Sequence, residues 1–261
     1  MRRRTHPATK YEPGAEAPGS AQRVGLARAI SKMGHCSRSQ AAALIAAGRV
    51  RLNGAVRRNV EAPVRLGQDK IKVDGREIRA AEKAYWMLNK PRGVVTTTSD
   101  EKGRATVYDC IGEAGAWLAP VGRLDKASEG LLLLTNDSEW AARVLDPEAH
   151  VAKTYHVKIA ALADEALLKA LRRGVRDGAD FLRAERVSEL RRGERNSWLE
   201  IVLHEGKNRQ IRRMLESLGV EVLRLVRVAI GTLELGDLAK GESRKLSATE
   251  KAAVETWKRP R

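Results

Sequence analysis

The sequence is poor in aromatic residues, cysteine and long apolar runs. Phe, Trp and Tyr make up 4% of the 261 residues, and residues 22–80 contain none of them. A platform of rings on which single-stranded bases stack is therefore excluded for that stretch. The two cysteines, Cys36 and Cys110, are far apart and in no CxxC spacing. That excludes a disulfide scaffold and a thiolate zinc site, and it implies a reducing compartment. No run approaches 18 apolar residues, so no membrane-spanning helix is expected. The basic start, Met1-Arg2-Arg3-Arg4, is not followed by the apolar core of a secretory signal. Phosphate-cradling patterns such as GxGxxG at a strand–helix junction or GxxxxGK[ST] are missing, and the five histidines are scattered. The expected setting is the cytoplasm, with no membrane partner, no metal and no cofactor.

What is abundant is positive charge. The formal net charge is +16, and residues 1–80 hold 17 Lys and Arg against 6 Asp and Glu, a net of +11. Such a surplus implies a polyanionic partner, and nucleic acid is the default. The apolar fraction of 43% suffices for a real core. Residues 1–21, rich in Pro, Gly, Ala and charge, read as a disordered basic arm. Residues 22–80 read as a small basic domain. Leu26, Ile30 and Met33 have helical spacing, Ser37 and Gln40 form a capping box that opens a second helix, and Gly48 ends it. Short strands at Val50–Leu52 and Ile71–Val73 meet tight turns at Asn53-Gly54 and Asp74-Gly75. A linker over 81–84 precedes a larger domain, 85–250, and a basic tail, 251–261.

In the larger domain short strands recur with few helices between them, which predicts an α+β fold with a mixed, mainly antiparallel sheet. The stretch Val121–Asp137, VGRLDKASEGLLLLTND, stands at its centre. Leu131–Leu134 form a short continuous apolar run, the mark of a strand buried on both faces. Asp125 lies on the loop that leads into it, where a charge is costly unless paired or functional. A turn aspartate that caps local amides is the plain alternative. In Lys153–Ile159, Tyr155 falls on the apolar side of an alternating strand with a hydroxyl that needs a partner. Further on, Asn208 is placed to cap a helix whose core stripe is Ile211, Leu215 and Leu218, and Arg212 and Arg213 lie off that stripe near its positive end. Ser247 and Glu250 form a second capping box.

Two sets of motifs carry a family resemblance. GHCSRSQAAALIAAGRVRLNG (34–54) with LGQDKIKVDG (66–75) resembles the S4 RNA-binding domain, a helix pair on a small bent sheet. By that resemblance Ser37, Arg38, Arg49, Arg51 and Asn53 are candidate RNA contacts, reading shape and phosphate positions. LNKPRGVVTT (88–97), VGRLDKASEGLLLLTND (121–137), KTYHVKI (153–159) and HEGKNRQIRRMLESLGVEVLRLVRVAIGTLEL (204–235) resemble pseudouridine synthases of the RsuA/RluB type. The resemblance implies an S4 domain followed by a catalytic domain that isomerises uridine in ribosomal RNA without cofactor or metal. It implies Asp125 as nucleophile or base, Tyr155 against the target base and Arg212 paired with Asp125. Arg123 would fill the gap left by the flipped uridine, and Lys90 and Arg213 would help bind substrate. Ser128 stands where the family has Thr, and Leu215 where it has an aromatic; SDEKGRATVYD (99–109) points to the large-subunit branch and 23S rRNA. A 16S rRNA enzyme, a non-catalytic S4-domain assembly factor and a DNA-binding regulator are the alternatives. Free rRNA or an assembly intermediate is the expected partner, and a monomer the expected state.

Overall fold

A computed structural model describes residues 23–97, 103–112 and 114–255. The expected basic arm, 1–21, and residues 256–261 of the expected tail lie outside them.

The N-terminal unit begins with β1 (Arg23–Gly25), α1 (Leu26–Lys32) and α2 (Arg38–Ala46). The Ser37 hydroxyl accepts from Gln40 N, and the Gln40 side chain accepts from Ser37 N, so the capping box forms as the sequence predicts. Four short strands follow: β2 (Val50–Leu52), β3 (Ala55–Val56), β4 (Pro63–Arg65) and β5 (Ile71–Val73), then β6 (Arg76–Glu77). They pair in the order β3-β2-β5-β6, with β4 on β1. Asn53 and Gly54 both take positive φ, as do Asp74 and Gly75, which gives the tight hairpin geometry at each turn. Leu26, Ile30, Ile45, Val50, Val64 and Ile71 are buried together as the core of this unit.

The larger unit opens with β7 (Tyr85–Lys90), β8 (Ala119–Val121) and β9 (Glu129–Thr135). After α3 (Ser138–Leu145) come β10 (Lys153–Ile159) and α4 (Glu165–Arg173). A hairpin of β11 (Val175–Asp177) and β12 (Asp180–Leu182) leads to β13 (Arg186–Arg192) and β14 (Ser197–Leu203). Helix α5 (Gln210–Glu216), β15 (Val222–Ile230), β16 (Leu233–Glu234), β17 (Ser243–Lys245) and α6 (Ala248–Glu255) complete it. The main sheet runs β13-β14-β10-β15-β9-β7-β17, with β8 and β16 pairing β9 and β15 off that path. Only β15 and β9 pair in parallel among the described strands, so the sheet is mixed and mainly antiparallel.

Strand β9 is central and every one of its residues is buried. Leu131 and Leu133 face one core cluster with Met87, Val121 and Trp140, and Leu132 and Leu134 face another with Leu88, Val107 and Leu124. Truncating any of these leucines to Ala would cost about 2–5 kcal/mol. At Gly130 (φ +99°) a Cβ would lie 2.2 Å from the carbonyl oxygen of Arg227, so β15 approaches β9 only because this position is Gly.

After β7, Val95 makes one isolated bridge to Thr106. Val107–Cys110 is a single 3₁₀ turn. Helix α6 runs on to Glu255, through the first residues of the expected tail. The two units touch where α1 ends: the Trp117 amide donates to Gly34 O, and Ala81 N donates to Met33 O. Among the described residues no helix is long and apolar enough to cross a membrane.

Candidate functional site

The loop between β8 and β9 carries Asp125, and its backbone is held at every step. The Leu124 carbonyl accepts from Thr96 Oγ1 at 2.8 Å. That of Asp125 accepts from Lys90 Nζ at 3.1 Å and from Ser128 N at 3.0 Å. Lys126 O accepts from Gly93 N at 2.7 Å, Ala127 O from Arg212 Nη2 at 3.0 Å, and Ser128 O from Lys90 Nζ at 2.9 Å. Five consecutive carbonyls are thus fixed by β7, the turn after it and α5. The Asp125 carboxylate is left open, with its side chain 34% exposed and the Arg209 guanidinium 4.0 Å away.

This changes the expected electrostatics. The buried carboxylate beside the loop is Glu129, whose side chain is 4% exposed, and not Asp125. Arg224 grips Glu129 with two bonds of 3.0 Å and Lys240 adds one of 2.7 Å. Burial works to raise the Glu129 pKa, but those cations outweigh it and hold the group below its ordinary value. A carboxylate at the head of a wholly buried strand was the sequence signal for this pairing.

Arg212 does not pair with Asp125 in the expected way. Its guanidinium donates to the carbonyls of Ala127 and Val222, and Nε is buried without a partner. Its pKa is lowered by burial first, then by Arg209 and Arg92, against the pull of Asp125. Arg209 makes the direct ion pair instead. It also precedes α5 in the left-handed region (φ 49°), where the sequence places Asn208 as cap, and no side chain caps the helix.

Lys90 is fully buried, with Nζ donating to Pro91 O, Asp125 O and Ser128 O. It is a strut beneath the loop rather than a surface group that meets substrate. Arg213 likewise turns away: it pairs with Asp177 and, at 2.7 Å, with Asp180, and so ties α5 to the β11–β12 hairpin. Arg123 is exposed and makes no hydrogen bond or ion pair among the described residues. Tyr155, on β10, packs against both the cluster that holds Leu124 and the large cluster under α5. Together these groups present a carboxylate, two guanidinium groups and an aromatic ring, a set that can receive a planar base and act on the atom next to it.

In the N-terminal unit, Arg38 is exposed and without a partner among the described residues. Arg49 is exposed but bound to Asp74 at 2.6 and 2.7 Å, and Arg51 donates to Gly54 O. Ser37 is buried in its cap, and Asn53 is used within its turn by Asp69 and Lys70 N, so both are structural in this conformation.

Comparison with known proteins agrees with this architecture. The pattern of the RNA pseudouridylate synthase family matches residues 84–217, and that of the S4 domain matches residues 24–71. A ribosomal large subunit pseudouridine synthase B of Bacillus subtilis (strain 168) is 37% identical over 227 residues, covering 86% of this chain and 93% of the relative. The protein of the same name in Escherichia coli O157:H7 is 37% identical, covering 80% of this chain and 74% of its own. The crystal structure of a pseudouridylate synthase superposes with a TM-score of 0.62 at 30% identity, covering 88% of this chain and 99% of that one. The chain therefore belongs to the RNA pseudouridylate synthase family, as an enzyme with an S4 domain ahead of its catalytic fold.

Proposed function

We propose that the protein isomerises a specific uridine of ribosomal RNA, in the 23S molecule of the large subunit, with Asp125 acting at the ribose. The observation that carries this reading is the Asp125 loop. Its five carbonyls are tied while its carboxylate stays one-third exposed. A fixed but open carboxylate suits a ribose delivered from outside, because its orientation is set before the substrate arrives. The large subunit is taken from the names of the B. subtilis and E. coli relatives.

In this reading residues 22–80 hold structured RNA and residues 85–250 carry the chemistry, in the cytoplasm. The target uridine is flipped out at a cost of a few kcal/mol, and Arg123, exposed and unpaired among the described residues, fills the gap. The base lies against Tyr155. Asp125 attacks C1′ or removes the C2′ proton, and either route breaks the C1′–N1 bond. The base turns, C5 bonds to C1′, and the hydrogen on C5 leaves as a proton. Arg209 pairs with the Asp125 carboxylate, and Arg212 holds the backbone of its loop through Ala127 O.

Loss of that hydrogen supplies the test. With [5-³H]uridine-labelled rRNA, the wild type releases tritium to water. Asp125→Asn should bind rRNA as well and release tritium more than about 10³-fold slower. Normal binding with wild-type release in that variant would remove Asp125 from the chemistry.

A further inference from the structure

Two cations in the sheet have no counter-ion among the described residues. Arg227, on β15, is 6% exposed; its Nε donates to Leu131 O at 2.7 Å, while Nη2 is buried with no hydrogen-bond partner. The side chain of Lys153, at the start of β10, makes no hydrogen bond or ion pair among the described residues. Its ammonium is pushed down to about 8, first by burial and then by the charge of Arg227 nearby. Two like charges brought together, one buried and one partly buried, destabilise the fold unless something negative visits them. Buried polar atoms are nearly always satisfied, so an orphaned guanidinium nitrogen asks for an explanation.

The register shows where they lie. Tyr155 is the direct partner of Arg227, and Arg227 is the direct partner of Gly130, across three adjacent strands. Neighbouring strands are about 4.8 Å apart, and residues i and i+2 share a face about 7 Å apart. Lys153 therefore shares the face of Tyr155, and both oppose buried residues of β14, Leu203 and Ile201. The cations stand beside the ring that the substrate reading sets against the target base.

We propose that Lys153 and Arg227 form a cationic subsite beside Tyr155 that receives the uracil anion released when the C1′–N1 bond breaks. The inference rests on the substrate reading above. When that bond breaks, its electron pair stays on N1 and spreads to O2 and O4 of the uracil ring. C1′ is meanwhile joined to the Asp125 carboxylate or, after loss of the C2′ proton to Asp125, double-bonded to C2′. The base at this stage is a monoanion, free to turn, and must be held within the site. Lys153 donates to a carbonyl oxygen of the anion, and Arg227 adds the field of a second fixed cation. When C5 attacks C1′, the C1′–O bond to Asp125 breaks or, on the other route, Asp125 returns its proton to C2′; N1 takes up a proton, C5 loses one, and both cations are released from their guest. Asp125 ends as it began, so the sum is an isomerisation.

The test compares Lys153→Met and Lys153→Arg with wild type, using tritium release from saturating enzyme in a single turnover, rRNA affinity and thermal midpoint. Met keeps the length of the chain and removes the charge; Arg keeps the charge. The expected result for Lys153→Met is a rate lower by about 10²-fold or more, the scale of losing one aimed donor. Its affinity for rRNA should stay within about threefold and its thermal midpoint should not fall, since a partly buried charge beside a second cation has been removed. Lys153→Arg should recover to within about tenfold of wild type. An unimpaired Lys153→Met enzyme overturns the subsite, and so do equal losses in the Met and Arg variants or a loss that follows weaker binding or folding. A wild-type enzyme that releases no tritium from rRNA overturns the substrate reading itself, which distinguishes the two failures.

Discussion

Lys90 does for the Asp125 loop what no neutral residue of its size could do. Three carbonyl oxygens converge on its ammonium, at 2.9 to 3.1 Å, in a place with no water contact. Burial pushes this ammonium down to about 8, against the opposing charges of Asp125 and Glu129. The unfolded chain keeps Lys90 protonated up to its ordinary value of 10.5. Between those two values the unfolded state binds more protons than the folded one, so this residue makes stability rise with pH there. At pH 7 Lys90→Met leaves the carbonyls unpaired and should destabilise the protein by about 2 kcal/mol or more. It also removes the pH-dependent contribution. The gap between wild type and variant should therefore widen from about pH 8 towards 10, measured by urea unfolding. Lys153 titrates in the same range but is present in both proteins and cancels. A gap that narrows with rising pH would show that folding favours the charged form of Lys90.

Helix α5 shows at the scale of an element what sequence patterns can and cannot reach. Its stripe of Ile211 and Leu215 is legible, because apolar spacing is a local property. So are the capping boxes at Ser37 and Ser247, the Asn53-Gly54 turn and the buried run of β9, each written within a few residues. The start of α5 is not: Asn208 is a better cap than Arg209, yet Arg209 occupies the left-handed position and turns its guanidinium to Asp125. Strand β17 escapes the sequence because its partner, β7, is distant in the chain, and β8 because it is only three residues long and holds Pro120. The site divides in the same way. Asp125, Tyr155 and Arg212 come from motifs, whereas the use of Lys90, Arg213, Ser37 and Asn53 inside the fold depends on partners that no pattern names. A non-glycine residue in the left-handed region costs about 1–2 kcal/mol, and such strain collects at functional sites. Arg209→Gly should therefore raise stability by up to about 1 kcal/mol while single-turnover tritium release falls. Loss of stability in that variant, or an unchanged rate, would mean that Arg209 serves the helix rather than the carboxylate.

At the scale of the whole molecule, the surplus of positive charge is divided between two tasks. In the catalytic unit several cations are spent internally: Arg224 and Lys240 on Glu129, Arg213 on Asp177 and Asp180, Lys90 on carbonyls. In the N-terminal unit Arg38, Arg49 and Arg51 remain exposed, and the Asp74 partner of Arg49 is itself half-exposed. A surface ion pair of that kind contributes little and can be exchanged for a phosphate. The junction between the units, at Gly34 and Trp117, places this basic face on the same body as the Asp125 loop. A Cβ at Gly34 would come within 3.0 Å of Ala81 Cβ, and the φ there is +73°, so the junction is closely fitted. Binding and chemistry should then separate cleanly. The triple variant Arg38→Ala, Arg49→Ala, Arg51→Ala should weaken rRNA binding at low salt. The slope of log K against log salt should become shallower by about one for each phosphate that is no longer neutralised. At saturating enzyme its single-turnover rate should match wild type, because none of the three touches the groups around Asp125. If the salt slope is unchanged, the basic face of the N-terminal unit does not meet the phosphates, and the polyanion is held elsewhere on the molecule.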